Sequence, residues 1–128
     1  MGRLTLHATG RASPEVVWER YACLDRWPAW SPQIKAVHCP ERRLTAGSSG
    51  TVESVAGLRA VFGIETVDRE GRRWSWRVRL GPVVLRLRHD VRAHPRGSTT
   101  TLAMDGPRLA LLAYAPLARL ALHRLVRP

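Results

Sequence analysis

The part of the chain after residue 50 constrains the fold most, because it consists of short segments joined by tight turns. The segments are TVESVAG, RAVFGIETVD, RRWSWRVRL, VVLRLRHDVRA and STTTLAMD. The turn signals between them are Gly57, Glu70-Gly71, Gly81-Pro82 and Pro95-Arg96-Gly97. Short runs rich in β-branched and aromatic residues and bounded by such turns predict an antiparallel meander.

The N-terminal residues predict one further strand and a helix. Residues 3–9 alternate between apolar and polar side chains, with Leu4 and Leu6 on one face, and predict an opening strand. Ser13 followed by Pro14 is a helix start, since serine caps the first turn and proline needs no N–H partner there. We therefore expect the first helix over residues 14–24.

The segment 25–34 carries two prolines and two tryptophans and cannot form one continuous helix. Ser31-Pro32 is itself a helix start signal and predicts a second short helix. A strand is then expected over 35–39, and AGSSG at 46–50 predicts a turn.

Pro107 precedes a long segment rich in leucine and alanine, which predicts a terminal helix with Pro116 inside it. Helical spacing predicts one apolar stripe and one basic arc. The stripe consists of Ala110, Tyr114, Leu117, Ala121 and Leu125, and the arc of Arg108, Arg119, His123 and Arg127. No linker, repeat or low-complexity tract interrupts the chain, so we expect residues 1–128 to form a single domain.

The charge is strongly positive, with 21 lysines and arginines against 10 acidic residues. Lys35 is the one lysine, and so strong a preference for arginine is typical of GC-rich coding. No DNA- or RNA-binding motif accompanies the charge, so nucleic acid is not the expected partner. Cys23 and Cys39 are too few for a disulfide framework or a zinc site, which favours a reducing cytoplasm. No phosphate loop, dinucleotide fingerprint or nucleophile elbow is present, and we expect no cofactor and no metal.

Strand alternation assigns the faces of the meander. Trp74, Trp76, Leu87 and His89 fall on the apolar side, which must be concave. The opposite face carries an arginine array consisting of Arg77, Arg79, Arg86, Arg88 and Arg92. This array is either a solvated face with acidic partners such as Asp90 or a patch for anionic lipid. Glu53 and Glu65 are expected to point outward.

The segment ASPEVVWERYACLDRWPAWSPQIKAV at 12–37 carries a family resemblance. A Ser/Pro-capped helix with Val17-Trp18 is followed by Asp25 and by Trp30-Ser31-Pro32, and Gly97-Ser98-Thr99 opens the last strand. In these features the whole chain resembles the helix-grip (START-like, SRPBCC) superfamily. That superfamily includes START lipid-transfer domains, the major birch pollen allergen and polyketide cyclase/dehydrase-like proteins, and the last group is the most similar.

The resemblance implies an α+β helix-grip fold. In it a curved antiparallel sheet of about six to seven strands wraps around a long C-terminal helix, with two short helices after strand 1. A strongly bent sheet cannot fill its concave side with strand side chains alone. We therefore expect a hollow that is mostly apolar with a few polar groups, as in small-molecule sites.

The candidate ligand-binding residues are those expected to face this hollow: Trp30, Trp74, Trp76, Leu87, His89, Tyr114 and Leu117. The tryptophans either stack on a planar ligand or simply pack the core. His89 is either a general acid/base or a core histidine bonded to a neighbour. Tyr114 either points its hydroxyl inward or fills space.

Three functions are consistent with these residues. The first is binding or transport of a small hydrophobic ligand such as a lipid, polyketide or aromatic metabolite. The alternative is a polyketide cyclase or dehydratase that uses His89 as acid/base, holding a flexible substrate in one shape. A second alternative is an interaction module that binds anionic lipid or an acidic partner through the arginine array. Peripheral contact with an anionic membrane, and either a monomer or a homodimer, are compatible with the sequence.

Overall fold

A computed structural model describes residues 2–128 and contains one sheet with three α-helices. The helices are α1 (Pro14–Ala22), α2 (Trp27–Trp30) and α3 (Arg108–Leu125), and a 3-10 turn (Leu24–Arg26) precedes α2. The strands are β1 (Gly2–Gly10), β2 (Ile34–His38), β3 (Ser49–Ser54), β4 (Arg59–Asp68), β5 (Arg73–Leu80), β6 (Val83–His94) and β7 (Gly97–Gly106).

The seven strands form one curved antiparallel sheet in the order β1-β7-β6-β5-β4-β3-β2. The chain meanders from β2 to β7 and places β1 beside β7, which makes β1 and β2 the edges. This is the α+β helix-grip fold that the sequence predicts, with strand bounds within a few residues of the expected ones.

Cross-strand register confirms the predicted faces. Trp74 lies opposite His89 and Trp76 opposite Leu87, so all four side chains share one side of β5 and β6. Each of these residues is buried. The arginines of the array alternate with them and are exposed on the other side, because successive strand side chains point to opposite faces.

The helical region after β1 differs from the prediction in one respect. The Ser13 hydroxyl caps α1 as expected, accepting a hydrogen bond from the Val16 N–H. However, Ser31-Pro32 does not start the second helix, and the prediction there is wrong. Instead α2 begins earlier, with Pro28 in its first turn, and the Ser31 N–H closes it by donating to the Trp27 carbonyl. Proline is tolerated in a first turn because the N–H it lacks would have no helical partner.

The terminal helix α3 packs mainly on β1, and to a smaller extent on β7 and α2. Its buried residues are Leu111, Ala118, Ala121, Leu122 and Leu125. The predicted stripe is therefore partly wrong, and Leu117 is 42% exposed. Leucine and alanine side chains occur on both the buried and the exposed side of this helix, so the apolar pattern along the sequence does not identify which side is buried.

The last residues of α3 are tied to the start of the chain. The Ala12 N–H donates to the Val126 carbonyl, and the Arg20 guanidinium donates to the Leu125 carbonyl at 2.7 Å. Gly10 is required at this junction, because a β-carbon there would overlap the Val126 backbone. These contacts fix the C-terminal end of α3 against α1 and β1, on the concave side of the sheet. No helix within residues 2–128 is long and apolar enough to cross a membrane.

Candidate functional site: the concave face under the terminal helix

Aromatic rings from α1, α2 and the central strands fill most of the concave face. Trp27 is at the centre, with ring centroids 5.0 Å from Trp76, 5.6 Å from Trp74 and 6.0 Å from Phe62. Tyr21 packs edge-on against Trp74 at 5.5 Å. The helix break after α1 produces this arrangement, since it turns the tryptophans of α2 toward the sheet.

A chain of directed hydrogen bonds runs through the buried polar groups below these rings. The Trp76 Nε1–H donates to His89 Nε2 at 3.1 Å. Because Nε2 accepts, the proton of the neutral imidazole is on Nδ1, which donates to the Tyr21 hydroxyl at 3.1 Å. The Tyr21 hydroxyl then donates to Thr100 Oγ1 at 2.6 Å, and the Thr100 hydroxyl donates to the Asp90 carbonyl at 2.9 Å. Each hydroxyl and ring nitrogen of this series of hydrogen bonds thus has a protein partner.

Burial keeps His89 neutral. Desolvation lowers the pKa of the imidazole from 6.5 to about 3, since no charge partner compensates the loss of water. The ring also stacks on Trp74 with centroids 4.5 Å apart and planes 7° from parallel. Burial likewise raises the pKa of Tyr21 well above its ordinary value. Both groups are therefore suited to fixed hydrogen bonding near neutral pH.

A small cavity of about 20 Å³ lies between this aromatic layer and α3. It is lined by Trp27, Trp30, Ser31, Ile34, Trp76, Leu87, His89, Leu102, Tyr114, Ala118, Ala121 and Leu122. Such a volume accommodates about one water molecule, whereas small-molecule sites usually measure about 300–1,000 Å³. The hollow expected from the sheet curvature is therefore far smaller than a typical small-molecule site. The indoles from α2 occupy the space that the sheet curvature opens.

Tyr114 and Gln33 form a polar pair at the edge of this cavity. The Gln33 Nε2–H donates to the Tyr114 hydroxyl oxygen at 3.1 Å. The Gln33 Oε1 is buried and has no hydrogen-bond partner among residues 2–128. Burial raises the pKa of the Tyr114 hydroxyl, so the group keeps its proton. Tyr114 thus places a protonated hydroxyl at the cavity, where Ser31 and His89 are the other polar residues of the lining.

The structure brings five of the seven candidate residues together at the cavity. Trp30, Trp76, Leu87, His89 and Tyr114 line it. Trp74 is 2% exposed and packs behind His89, and Leu117 points outward, so the expectation that these two face the cavity is wrong.

The predicted stripe of α3 contained Ala121 but missed Ala118, and neither alanine nor Trp27 was among the candidate ligand-binding residues, although all three line the cavity. A helical stripe shifted by one residue, from Leu117 to Ala118, would have identified the α3 side.

The arginine array has acidic partners on its own surface. The Glu65 carboxylate lies 3.5 Å from Arg77 and 3.8 Å from Arg86, and Asp105 lies 3.5 Å from Arg88. Glu53 also points outward, with His38 at 3.2 Å and Lys35 at 3.9 Å. This arrangement supports the interpretation of a solvated, partly neutralised face.

Comparison with known proteins places this architecture in a family. The family model described as "Polyketide cyclase / dehydrase and lipid transport" matches residues 1–127. The chain belongs to this family. No curated protein sequence matches the chain.

Solved structures share the fold at low sequence identity. Protein MLL2253 from Mesorhizobium loti superposes with a TM-score of 0.82 at 12% identity, covering 97% of this chain and 93% of that one. Ginseng major latex-like protein 151 from Panax ginseng gives a TM-score of 0.73 at 16% identity, covering 93% of each chain. Ara h 8.0201 gives a TM-score of 0.68 at 12% identity, covering 94% of this chain and 95% of that one. These similarities show that the chain shares the helix-grip fold of these structures.

Proposed function

We propose that this protein binds a small apolar molecule between α3 and the concave face of the sheet. The observation that carries the proposal is the lining of the internal cavity, which combines aliphatic and aromatic side chains with a few polar groups, among them the Tyr114 hydroxyl. Apolar walls with a few polar groups are typical of small-molecule sites. The family description, which includes lipid transport, supports the same class of ligand.

A ligand larger than water has to widen the cavity of about 20 Å³. We expect the α3 side to provide this space, because α3 is anchored mainly on the edge strand β1 and contributes the small residues Ala118 and Ala121 to the lining beside Tyr114 and Leu122. The aromatic layer on the opposite side is joined by the hydrogen-bond chain through His89. We therefore propose that α3 shifts on binding while the sheet and its tryptophans stay in place.

The proposal does not include acid–base catalysis by His89. Cyclase or dehydratase chemistry needs a group that exchanges a proton with the ligand. In His89 both ring nitrogens are engaged by Trp76 and Tyr21, and the lowered pKa keeps the ring neutral. Tyr114 lines the cavity with a hydroxyl that accepts from Gln33 and donates to no group among residues 2–128, which suits positioning a ligand oxygen.

A second candidate function is contact with an anionic membrane surface, favoured by the outer side of α3. Leu109 and Leu112 are 82% and 65% exposed, and Leu117 and Leu120 continue the same stripe. Exposed apolar rows next to cationic side chains are typical of interfacial helices. Flotation with vesicles of neutral or anionic phospholipid tests this contact. If the protein floats equally with neutral and anionic vesicles, or self-associates and does not float, the contact with an anionic surface is contradicted.

Titration with the neutral fluorescent probe N-phenyl-1-naphthylamine tests the internal site. Ala118→Leu fills the cavity and should weaken probe binding by about ten-fold or more, because three extra carbons exceed the available space. Ala113→Leu adds the same atoms on the exposed side of α3 and serves as the matched control. Ala121→Val is the milder variant if Ala118→Leu fails to fold. Equal affinity in folded cavity and control variants would overturn the proposal.

We propose that the protein resides in the cytoplasm, because free cysteines are typical of a reducing compartment. Cys23 and Cys39 are both free, and Cys39 is buried.

A further inference from the structure

An open cleft of about 630 Å³ lies beside the C-terminal end of α3. Four arginines line it: Arg20 from α1, Arg26 from the turn before α2, and Arg124 and Arg127 from the end of α3. Trp30 forms part of its wall, and Ala29 and Pro128 complete it. Three separate segments thus direct guanidinium groups into one concave space.

None of these four arginines forms an ion pair with a carboxylate in the part of the chain that the structure describes. The nearest acids along the chain are engaged elsewhere, since Glu19 pairs with Arg43 and Asp25 with Arg42. The cleft therefore concentrates positive charge that is not paired with a carboxylate at salt-bridge distance among residues 2–128, in contrast to the array on the sheet.

Arg20 holds the cleft in shape. Its guanidinium donates to the Leu125 and Arg127 carbonyls, so its orientation is fixed by backbone groups at the end of α3. Desolvation, and then the nearby charges of Arg26 and Arg127, lowers the pKa of Arg20, which is the direction expected where cations share the lining of one cleft. An anion in the cleft would relieve this repulsion and accept charge-assisted hydrogen bonds.

Trp30 connects this cleft to the internal cavity. Among residues 2–128 it is the one residue that lines both spaces, and its indole N–H donates to the Arg20 carbonyl at 3.1 Å. Trp30 is 8% exposed and also packs edge-on against Tyr21. A molecule with a charged end in the cleft would reach the cavity by passing this side chain.

We propose that the cleft binds the anionic head of an amphiphile, a carboxylate or a phosphate, whose apolar chain passes Trp30 into the cavity under α3. This inference rests on the proposed function, because it assigns the class of molecule that the internal site takes. It also gives the arginines of the cleft a role distinct from that of the arginine array, where carboxylates of the same face already provide partners.

Calorimetric titration with four probes, kept below their micelle-forming concentrations, tests the assignment. Dodecanoate and dodecyl phosphate carry both parts, dodecanol has the chain alone, and inorganic phosphate has the anion alone. The variant Arg26→Gln/Arg124→Gln removes two charges and leaves Arg20, which holds the backbone, in place. Arg79→Gln/Arg86→Gln removes two charges from the sheet face and is the matched control.

Wild type should bind the two anionic amphiphiles about ten-fold or more tightly than dodecanol, because charge-assisted hydrogen bonds add to the apolar contacts. The cleft variant should lose this preference and retain its affinity for dodecanol, whereas the sheet-face variant should behave as wild type. Added salt should reduce the preference.

Equal binding of dodecanol and dodecanoate would overturn this inference and leave the proposed function intact. Inorganic phosphate binding as tightly as dodecyl phosphate would overturn it as well, since the chain would then contribute nothing. Failure of all three chain-bearing probes to bind would contradict the proposed function and this inference together.

Discussion

Replacing His89 by glutamine should remove a large part of the acid sensitivity of the fold. The imidazole is buried and neutral in the folded protein, where its pKa is about 3, against 6.5 in an exposed setting. Between these values the unfolded chain binds a proton that the folded protein does not bind. Lowering the pH through this window therefore favours unfolding, and raising it through 6.5 restores the stability.

The magnitude follows from the width of that window. Each pKa unit corresponds to about 1.4 kcal/mol, so the full contribution of His89 approaches about 5 kcal/mol at pH values near 3. On going from about pH 7.5 to pH 5.0, His89 lowers the free energy of unfolding by about 2 kcal/mol. A loss of this size is a large fraction of the stability of an ordinary domain.

Urea unfolding at both pH values measures the effect. Wild type should lose about 2 kcal/mol more than His89→Gln on going from pH 7.5 to pH 5.0, although the variant is less stable at both. His123→Gln alters an exposed histidine of α3 and serves as the matched substitution on the surface. If wild type and His89→Gln show equal losses, the histidine is not held neutral by burial, and the account of the hydrogen-bond chain is wrong.

Three further substitutions test the packing. Tyr21→Phe removes the acceptor of the buried imidazole N–H and should lower the free energy of unfolding by about 1–3 kcal/mol. An unchanged free energy of unfolding would show that this N–H reaches water instead. Leu122→Ala should cost about 2–5 kcal/mol and enlarge the cavity, while Leu120→Ala, on the exposed side, should cost less than about 1 kcal/mol in denaturant melts. Gly10→Ala should lower the free energy of unfolding by about 1–3 kcal/mol, because the added β-carbon overlaps the Val126 backbone. In the control Gly63→Ala the added carbon meets no atom, so this variant should melt within a few degrees of wild type. Equal melting temperatures for the two variants would refute the overlap.

The sequence was sufficient to predict the sheet and the faces of its strands. Turn residues bound each strand after residue 50, and alternation assigned Trp74, Trp76 and His89 to the buried side, where the structure places them. Both signals are local, because they depend on neighbouring residues and on the period of two.

The rest depends on contacts between distant segments. Ser31-Pro32 has the composition of a helix start, but Trp27 and Trp30 gain more by packing on the sheet, so the short helix forms before it. The sides of α3 could not be told apart by hydropathy, since leucines occur on both.

The cavity size and the hydrogen bonds of His89 are set by how rings from the three helices and the central strands fit together. Tyr21 reaches His89 across 68 residues of sequence, and the indoles of α2 fill the hollow that the sheet curvature predicts. No pattern along the chain specifies such a fit, because it depends on side-chain volumes and rotamers in the folded core.

Isotope-filtered nuclear Overhauser contacts between bound N-phenyl-1-naphthylamine and the methyl groups of α3 test the internal site most directly. Contacts to Ala118, Ala121 and Leu122 are expected, since these methyl groups line the cavity. Contacts confined to the exposed Leu109 and Leu112, with the buried methyl resonances unchanged, would show that apolar molecules bind only outside the helix and would contradict the account.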